Sequence, residues 1–384
     1  MKKIKVFLAG IGGYGMNYCR EFLSAPSNDF ELVGVADPFA QSSPAYEEIK
    51  ARSIPVYQSP TEFFAEKRAD LSIISSPIHT HYPYIKTCFE NGSHVLCEKP
   101  VTGDINELDE LIALEKKTGL FAAVGFQLSF SRDVHALKQD ILDGLFGKPL
   151  ELKTVRLNCR TTTYYRRNRW AGALNFEGRR ILDSPLQNAN SHELHNMLFL
   201  LGRDMRSAAP VDTLSAELWK GRQDIENYDA AAVRIKTAGG VPVLFYTAHC
   251  VQEKMGEPLG EFRFEKAVVR WETAPAPGFT AYFNDGRKKS YKEVDKGQEL
   301  KKLYDSLAAI QSGEPPVCTL ETVRPHASCV ELIQQFPIRN LSGENVVQCT
   351  TDDNDTFFYV PGLYQNFIRA YEQSALPSEI GFNL

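Results

Sequence analysis

In LDSPLQNANSHELHN, residues 182–196, two histidines stand three positions apart, with an asparagine four positions before the first. At helical spacing Asn188, His192 and His195 are i, i+4 and i+7, so one α-helix would turn all three to one face. Ser184 reads as its cap, Pro185 as a first-turn residue and Gly202 as its stop. Such a trio could ligate a metal, fill a core or move a proton beside a substrate. The spacing is HELH rather than HExxH and no third ligand cluster stands nearby, so no metal is expected. Histidine titrates nearest neutrality, and acid/base chemistry is the reading we take. A second reactive group, Lys99, follows the apolar run HVLC and precedes Pro100. A lysine at the end of a buried strand is unusual enough to suggest a use.

A third stretch, GIGGYG at residues 10–15, lies between the β-prone KIKVFLA and a helical pattern from Tyr14 to about Leu23. Gly10 allows a tight turn, Gly12 lets the backbone approach a pyrophosphate, Gly15 allows close helix packing, and the helix N-terminus stabilises the anion. Gly13 and Tyr14 belong to the same turn. The strand-like FELVGVAD ends in Asp37, about 20 residues beyond the turn, where a carboxylate accepts hydrogen bonds from adenosine ribose hydroxyls. A glycine-rich turn alone is weak evidence, but strand, helix and acid agree here. Asp37 also favours NAD over NADP. A carboxylate about 4 Å from one extra negative charge costs roughly 4 kcal/mol at an effective dielectric of 20, and a third of that is about tenfold in affinity.

The elements that must position these groups follow from the pattern. LSIISSP (71–77), HVLCEKP (94–100) and LFAAVGF (120–126) read as strands, separated by a helix over HYPYIKTCFENG (81–92) and another from about Asp104 to Thr118. Such alternation means a parallel sheet covered on both faces, with ligands at the strands' C-terminal ends. Pro77 and the trio Glu98, Lys99 and Pro100 fall at such ends. From Gly147 the character changes. GKPLELKTVRLNC reads as a long strand, and DAAAVRIKT, PVLFYTAHC, EFRFEKAVVRW and FTAYF fit a second sheet of mostly hairpin-joined strands. Between them, RTTTYYRRNRWAGAL offers Arg169 and Trp170, since arginine binds carboxylates and hydroxyl-rich ligands and tryptophan stacks on sugar faces. A surface loop with its own salt bridges is the plainer alternative. Helices near 298–312 and 320–335 should pack back on the structure, and the tail FFYVPGLYQNF could close a cleft or pack on the sheet.

The bulk composition bounds these readings. The 384 residues are 43% apolar and 24% charged, with a formal charge of -5. That is ordinary for a soluble protein with two cores, and it offers no basic field to nucleic acid or to a membrane. No apolar run approaches the ~18 residues of a membrane span, and MKKIKVFLAG reads as a first strand rather than a leader. Eight cysteines without CxxC pairs fit a reducing compartment, so a cytoplasmic location is expected.

GIGGYG, SSPIHTHYPYIKTCFENGSHVLCEKP (75–100) and GFQLSF (125–130) together resemble the Gfo/Idh/MocA family of glucose-fructose oxidoreductase, inositol dehydrogenase and rhizopine-catabolism proteins, over roughly the first 150 residues. The resemblance implies an α/β chain: a doubly wound Rossmann domain over 1–126, then an α/β domain with an open, mostly antiparallel sheet over 127–384 that carries the substrate site and an oligomer contact. The lysine of the family's EKP signature lies near the nicotinamide and the reacting hydroxyl, and its glutamate helps hold the nicotinamide end. Carried over, these are Lys99 and Glu98. Pro77 and His81 fall in the matching phrases as cofactor candidates, and Gln127 as a substrate candidate. The histidine stretch resembles the family's second-domain helix and puts His192 on its catalytic histidine, while Asn188 and His195 stand where many members have aspartate. Asparagine takes no proton at neutral pH. His192 is then the candidate base, Lys99 hydrogen-bonds the same oxygen, Asn188 orients a hydroxyl, and His195 orients substrate or tunes His192. The implied activity is NAD-dependent oxidation of a secondary hydroxyl of a sugar, polyol or sugar derivative by a homo-oligomer, a dimer or tetramer. Two alternatives stay open: glycoside cleavage or elimination through transient oxidation with tightly bound NAD, and a nucleotide-binding regulatory protein without turnover.

Overall fold

The computed structural model describes residues 3–24, 27–273, 277–292, 295 and 297–384. The chain forms two units, Met1–Phe130 with Gly297–Val323, and Ser131–Lys296 with Arg324–Leu384. The first therefore runs past residue 126, because the turn Gln127–Phe130 stays with the strand it follows through a bond from Ser129 N to Phe126 O of 2.9 Å. It also takes back a late segment, whose Cys318 carbonyl accepts from Val124 N at 2.9 Å while Thr319 bridges Ala123. That contact covers an otherwise open sheet edge.

In the first unit β1 (Ile4–Ala9), β2 (Phe30–Ala36), β3 (Val56–Tyr57), β4 (Leu71–Ile74), β5 (His94–Cys97) and β6 (Ala122–Val124) form a parallel sheet in the order β3-β2-β1-β4-β5-β6. Phe7, Leu8, Ile73, Ile74, Val95 and Leu96 are fully buried, as the near-continuous apolar strands of a sheet covered on both faces must be. The expected helix after β5 spans Ile105–Thr118, capped by Asp104, whose carboxylate accepts from Asn106 N at 2.9 Å, and stopped by Gly119 at φ 70. The helix expected from residue 81 starts earlier, at Ile78, with Pro77 as its cap. The strand order reverses between β1 and β4, and the crevice at their C-terminal ends is where such sheets take ligands.

The second unit contains β7 (Pro149–Leu157), the short pair β8 (Asn175–Phe176) and β9 (Arg179–Arg180), β10 (Val211–Lys220), β11 (Ala230–Thr237), β12 (Pro242–Ala248), β13 (Leu259–Phe264), β14 (Ala267–Glu272), β15 (Gly278–Phe283), β16 (Lys288–Lys292), β17 (Ile338–Asn340), β18 (Val347–Thr350) and β19 (Thr356–Tyr359). Its large sheet runs β16-β15-β14-β13-β7-β12-β11-β10-β17. Among the described residues only β7 with β12 and β10 with β17 pair in parallel in it, so the sheet is mostly antiparallel, as expected. The aromatic tail packs on it: Val360, Leu363 and Phe367 of the tail join Trp219, Leu244 and Tyr246 in one buried cluster. Among the described residues no helix is long and apolar enough to cross a membrane.

Candidate functional site

Gly10, at the end of β1, takes φ 89, and a Cβ there would meet the Ser75 carbonyl at 2.6 Å. A Cβ on Gly15 would lie 2.1 Å from the Gly10 carbonyl oxygen, so both glycines are demanded by packing. Gly12 differs, since a Cβ there would meet nothing within 4 Å. A Cβ on Gly13 likewise would meet nothing within 4 Å, so the turn presents bare backbone to open space at both glycines. Behind it the helix Gly15–Ser24 has no acidic residue in its first turn, which leaves its positive end available to an anion. Gly13 lies in the same turn at φ 49. Asp37, half-buried, accepts from Ile11 N at 3.0 Å with Oδ2 and from Phe39 N at 2.9 Å with Oδ1. It keeps lone pairs for further donors, because a carboxylate accepts about four hydrogen bonds. These features fit a dinucleotide with its pyrophosphate at the turn and a ribose at Asp37.

Glu98, Lys99 and Pro100 follow β5 directly, with a cis bond before Pro100. Lys99 is half-buried. Glu98 is held by two partners, Lys302 Nζ at 2.6 Å and Tyr18, whose hydroxyl donates at 2.7 Å. Burial by itself would strip the Lys302 proton, but Glu98 and Tyr14 outweigh it and hold the ammonium above its ordinary pKa. The Lys302 ammonium also sits 4.5 Å from the Tyr14 ring centroid. His81 is 2% exposed, and its ring nitrogens lie 2.7 Å from the carbonyls of Ser76 and Pro100. It ties the Pro77 turn to the EKP turn. Burial holds its pKa below the usual histidine value, against the two carbonyls. Gln127 is exposed just beyond β6.

In the second unit the expected single helix is broken. Residues Pro185–Ala189 wind as a π-helix after the cap Ser184, whose Oγ accepts from Gln187 N at 3.2 Å, and the α-helix spans Ser191–Leu200. The Asn190 N–H bonds the Pro185 carbonyl at 2.8 Å, the i→i-5 contact of a π turn. Asn190 is pulled aside by its side chain, which donates to Thr247 Oγ1 at 2.8 Å and to the Arg156 carbonyl at 3.4 Å. His192 and His195 therefore share one regular α-helix, whereas Asn188 lies in the π-helical turn before it. His192 is half-buried in the first turn. His195 has no exposed surface and lies between Phe199 and His326, with ring centroids 6.2 and 6.3 Å away. Burial, with His326 and Lys138 adding, holds its pKa well below the usual value, so it is neutral. Arg169 is exposed with its guanidinium 5.5 Å from the Phe176 ring, and the half-buried Trp170 has Arg167 at 5.3 Å.

Two residues without an assigned role in the sequence reading join this group. Asp183, 3% exposed, accepts from Asn188 Nδ2 at 2.8 Å and from Gly172 N at 2.7 Å. Leu182 before it sits at φ 52, a conformation costing a non-glycine residue about 1–3 kcal/mol and found mostly where function demands it. His249, just past β12, places Nδ1 2.8 Å from the Tyr165 hydroxyl, and burial with Arg160 and Arg167 keeps it neutral. Asp183 stood visible before the cap and His249 after an apolar strand, but nothing local marked either. Among the described residues no group of three or more His, Cys, Asp or Glu side chains is placed to hold a metal.

Residues 4–126 match the family model GFO_IDH_MocA, described as an oxidoreductase family with an NAD-binding Rossmann fold. The chain is 32% identical to inositol 2-dehydrogenase of Mycolicibacterium smegmatis over 162 residues, 41% of this chain and 46% of that protein. It is 29% identical to D-glucoside 3-dehydrogenase of Escherichia coli over 121 residues, 32% of this chain and 34% of that protein. The chain thus matches less than half the length of either curated relative. The WlbA dehydrogenase of Bordetella pertussis, solved with NADH and UDP-GlcNAcA, superposes with a TM-score of 0.70 at 19% identity, covering 87% of this chain and 96% of that one. That likeness extends the shared fold across both units.

Proposed function

We propose, from the match of residues 4–126 to the Gfo/Idh/MocA oxidoreductase model, that the chain is an NAD-dependent dehydrogenase acting on a secondary hydroxyl of a sugar, polyol or sugar derivative. The observation that carries the reading is the Gly10–Gly15 turn opening at Gly12, with Asp37 beside it and Lys99 at the end of β5 in the same unit. Likeness to an inositol dehydrogenase and a glucoside dehydrogenase supports the substrate class. Asp37 supports NAD over NADP, and eight free thiols, six of them buried, support a reducing cytoplasm.

In this reading bound NAD supplies the hydride acceptor. Lys99 donates a hydrogen bond to the reacting oxygen, and His192 takes the hydroxyl proton as the carbonyl forms. Asn188, fixed by Asp183, orients a neighbouring hydroxyl. His195, buried between Phe199 and His326, is proposed to tune His192 from the same helix. Gln127, Arg169 and Trp170 are proposed contacts to the rest of the substrate, and His81 is a positioning residue for the two turns it joins.

The test is reduced-nicotinamide absorbance on mixing the protein and NAD with a panel of sugars and polyols, with Lys99→Ala run alongside. NADH accumulating in the wild type alone is the expected result. Equal turnover in Lys99→Ala, or no nucleotide binding at all, would sink the proposal.

A further inference from the structure

The strand order β3-β2-β1-β4-β5-β6 fixes which way a dinucleotide must lie along the strands' C-terminal ends. With the adenosine ribose at Asp37, after β2, and the pyrophosphate at the turn after β1, the nicotinamide end falls on the β4 and β5 side, where Glu98 and Lys99 follow β5. At this end the unit buries a pair of charges. Lys302, in the first turn of the helix Lys301–Ser312, places Nζ 2.6 Å from Glu98 Oε1, and the two side chains are 1% and 12% exposed. Tyr18 donates to the same oxygen at 2.7 Å. Gly125, just past β6, leaves the room: a Cβ there would lie 2.8 Å from Glu98 Oε2 and 3.2 Å from Lys302 Nζ.

The Tyr18 phenol and the Cys97 thiol beside the pair have no exposed surface, and burial, reinforced by Glu98, pushes both well above their ordinary pKa values. Both stay uncharged, so the charge of the cluster is that of the carboxylate and the ammonium. A buried ion pair adds little stability over apolar side chains of the same size, so stability alone does not account for this one. Its charges do matter to a nicotinamide, which is a cation when oxidised and neutral when reduced. An uncompensated Glu98 would favour the oxidised form, and Lys302 cancels it where burial limits screening by salt.

We propose that Lys302 is a positioning residue that fixes Glu98 and cancels its charge beside the nicotinamide, and so sets the balance between bound NAD and bound NADH. The inference rests on the nucleotide reading above and on no particular substrate.

Fluorescence titration of the full chain with NADH at pH 8, and displacement of NADH by NAD, gives the ratio of the two dissociation constants and tests it. One unit charge acting over roughly 10 Å at an effective dielectric of 20 changes an equilibrium by about tenfold. Lys302→Met should therefore shift the ratio about tenfold toward NAD, which lowers the midpoint potential of the bound couple by about 30 mV. Glu98→Gln should shift it about tenfold toward NADH. The double variant should return to the wild-type ratio. A pair that only braces the fold would weaken both nucleotides alike and leave every ratio unchanged. Circular dichroism reports whether each variant folds, and should Lys302→Met not fold, Glu98→Gln decides alone. An unchanged ratio in a folded single variant, two single variants that move it the same way, or a double variant that stays displaced overturns the proposal. A wild-type chain that binds neither nucleotide overturns the nucleotide reading and this inference with it. Nucleotide binding without oxidation of any sugar counts against the dehydrogenase alone, and the ratios still decide the role of Lys302.

Discussion

The Lys302 ammonium lies 2.6 Å from the Glu98 carboxylate, with the two side chains only 1% and 12% exposed. The glutamate that precedes Lys99 is therefore held by a residue from Gly297–Val323, a segment that returns to the first unit between the two stretches of the second, Ser131–Lys296 and Arg324–Leu384. A buried charge with one partner removed costs far more than the pair contributes when intact.

Lys302→Met should accordingly lower the unfolding free energy by about 3–5 kcal/mol. Adding Glu98→Gln removes the stranded charge and should restore more than half of the loss. Urea unfolding of the three proteins checks this. A loss below about 1 kcal/mol in the single variant would mean that solvent screens the pair as it screens a surface pair.

The two glycines of the nucleotide turn should separate stability from binding. Gly15→Ala drives a Cβ to 2.1 Å from the Gly10 carbonyl oxygen, an overpacking expected to cost about 1–3 kcal/mol or more. Gly12→Ala meets nothing of the chain within 4 Å. It should melt like the wild type yet bind NAD at least about tenfold more weakly, because its methyl stands where the pyrophosphate approaches. Unchanged NAD affinity in Gly12→Ala would remove the turn from the nucleotide site.

Asp37→Ala should narrow the preference for NAD over NADP by about tenfold, measured as the ratio of dissociation constants in a fluorescence titration. The variant also strands the amides of Ile11 and Phe39, which the carboxylate accepts from in the native turn. Both nucleotides should therefore weaken somewhat, NAD more. An unaltered ratio would refute the ribose assignment.

Lys99→Ala and His192→Gln should each reduce turnover by about 10²–10⁴, the range of a positioned proton-transfer group, while NAD affinity changes little. Single-turnover absorbance and a binding titration on the same samples separate the two effects. Loss of NAD binding in Lys99→Ala would recast the lysine as a cofactor anchor.

His195 should leave a signature in stability against pH. Burial holds its folded-state pKa well below the usual histidine value, while the unfolded imidazole titrates near ~6.5. Between those values the unfolded chain binds a proton that the folded chain does not, so stability is lost as pH falls below about 6.5, by up to ~1.4 kcal/mol per unit. The groups facing the ring, His326 and Lys138, reinforce the shift. His195→Phe should show a shallower dependence of its urea midpoint on pH between about 6.5 and 5.5. An identical slope would mean that His195 takes up its proton alike in the folded and unfolded chains.

The amino-acid sequence by itself determined the first unit's plan. Apolar runs, the glycine turn, Asp37 at a strand end and the Asp104 cap are each set within a few residues, where periodicity and turn geometry act directly. The mostly antiparallel second sheet was legible for the same reason. The candidate site was legible as a list of residue types and not as an arrangement. The single helix expected over Asn188 and His192 breaks at Asn190, whose side chain bonds Thr247 and the Arg156 carbonyl, groups brought there by β12 and β7. His195 became a core residue because Phe199 and His326 close over it. Lys302 met Glu98 and His249 met Tyr165 across chain segments far away in sequence, while Asp183 is held by Gly172 and Asn188 nearby. Local spacing sets which way a short element turns its side chains; tertiary packing alone decides which of those side chains is buried, paired or left facing a ligand.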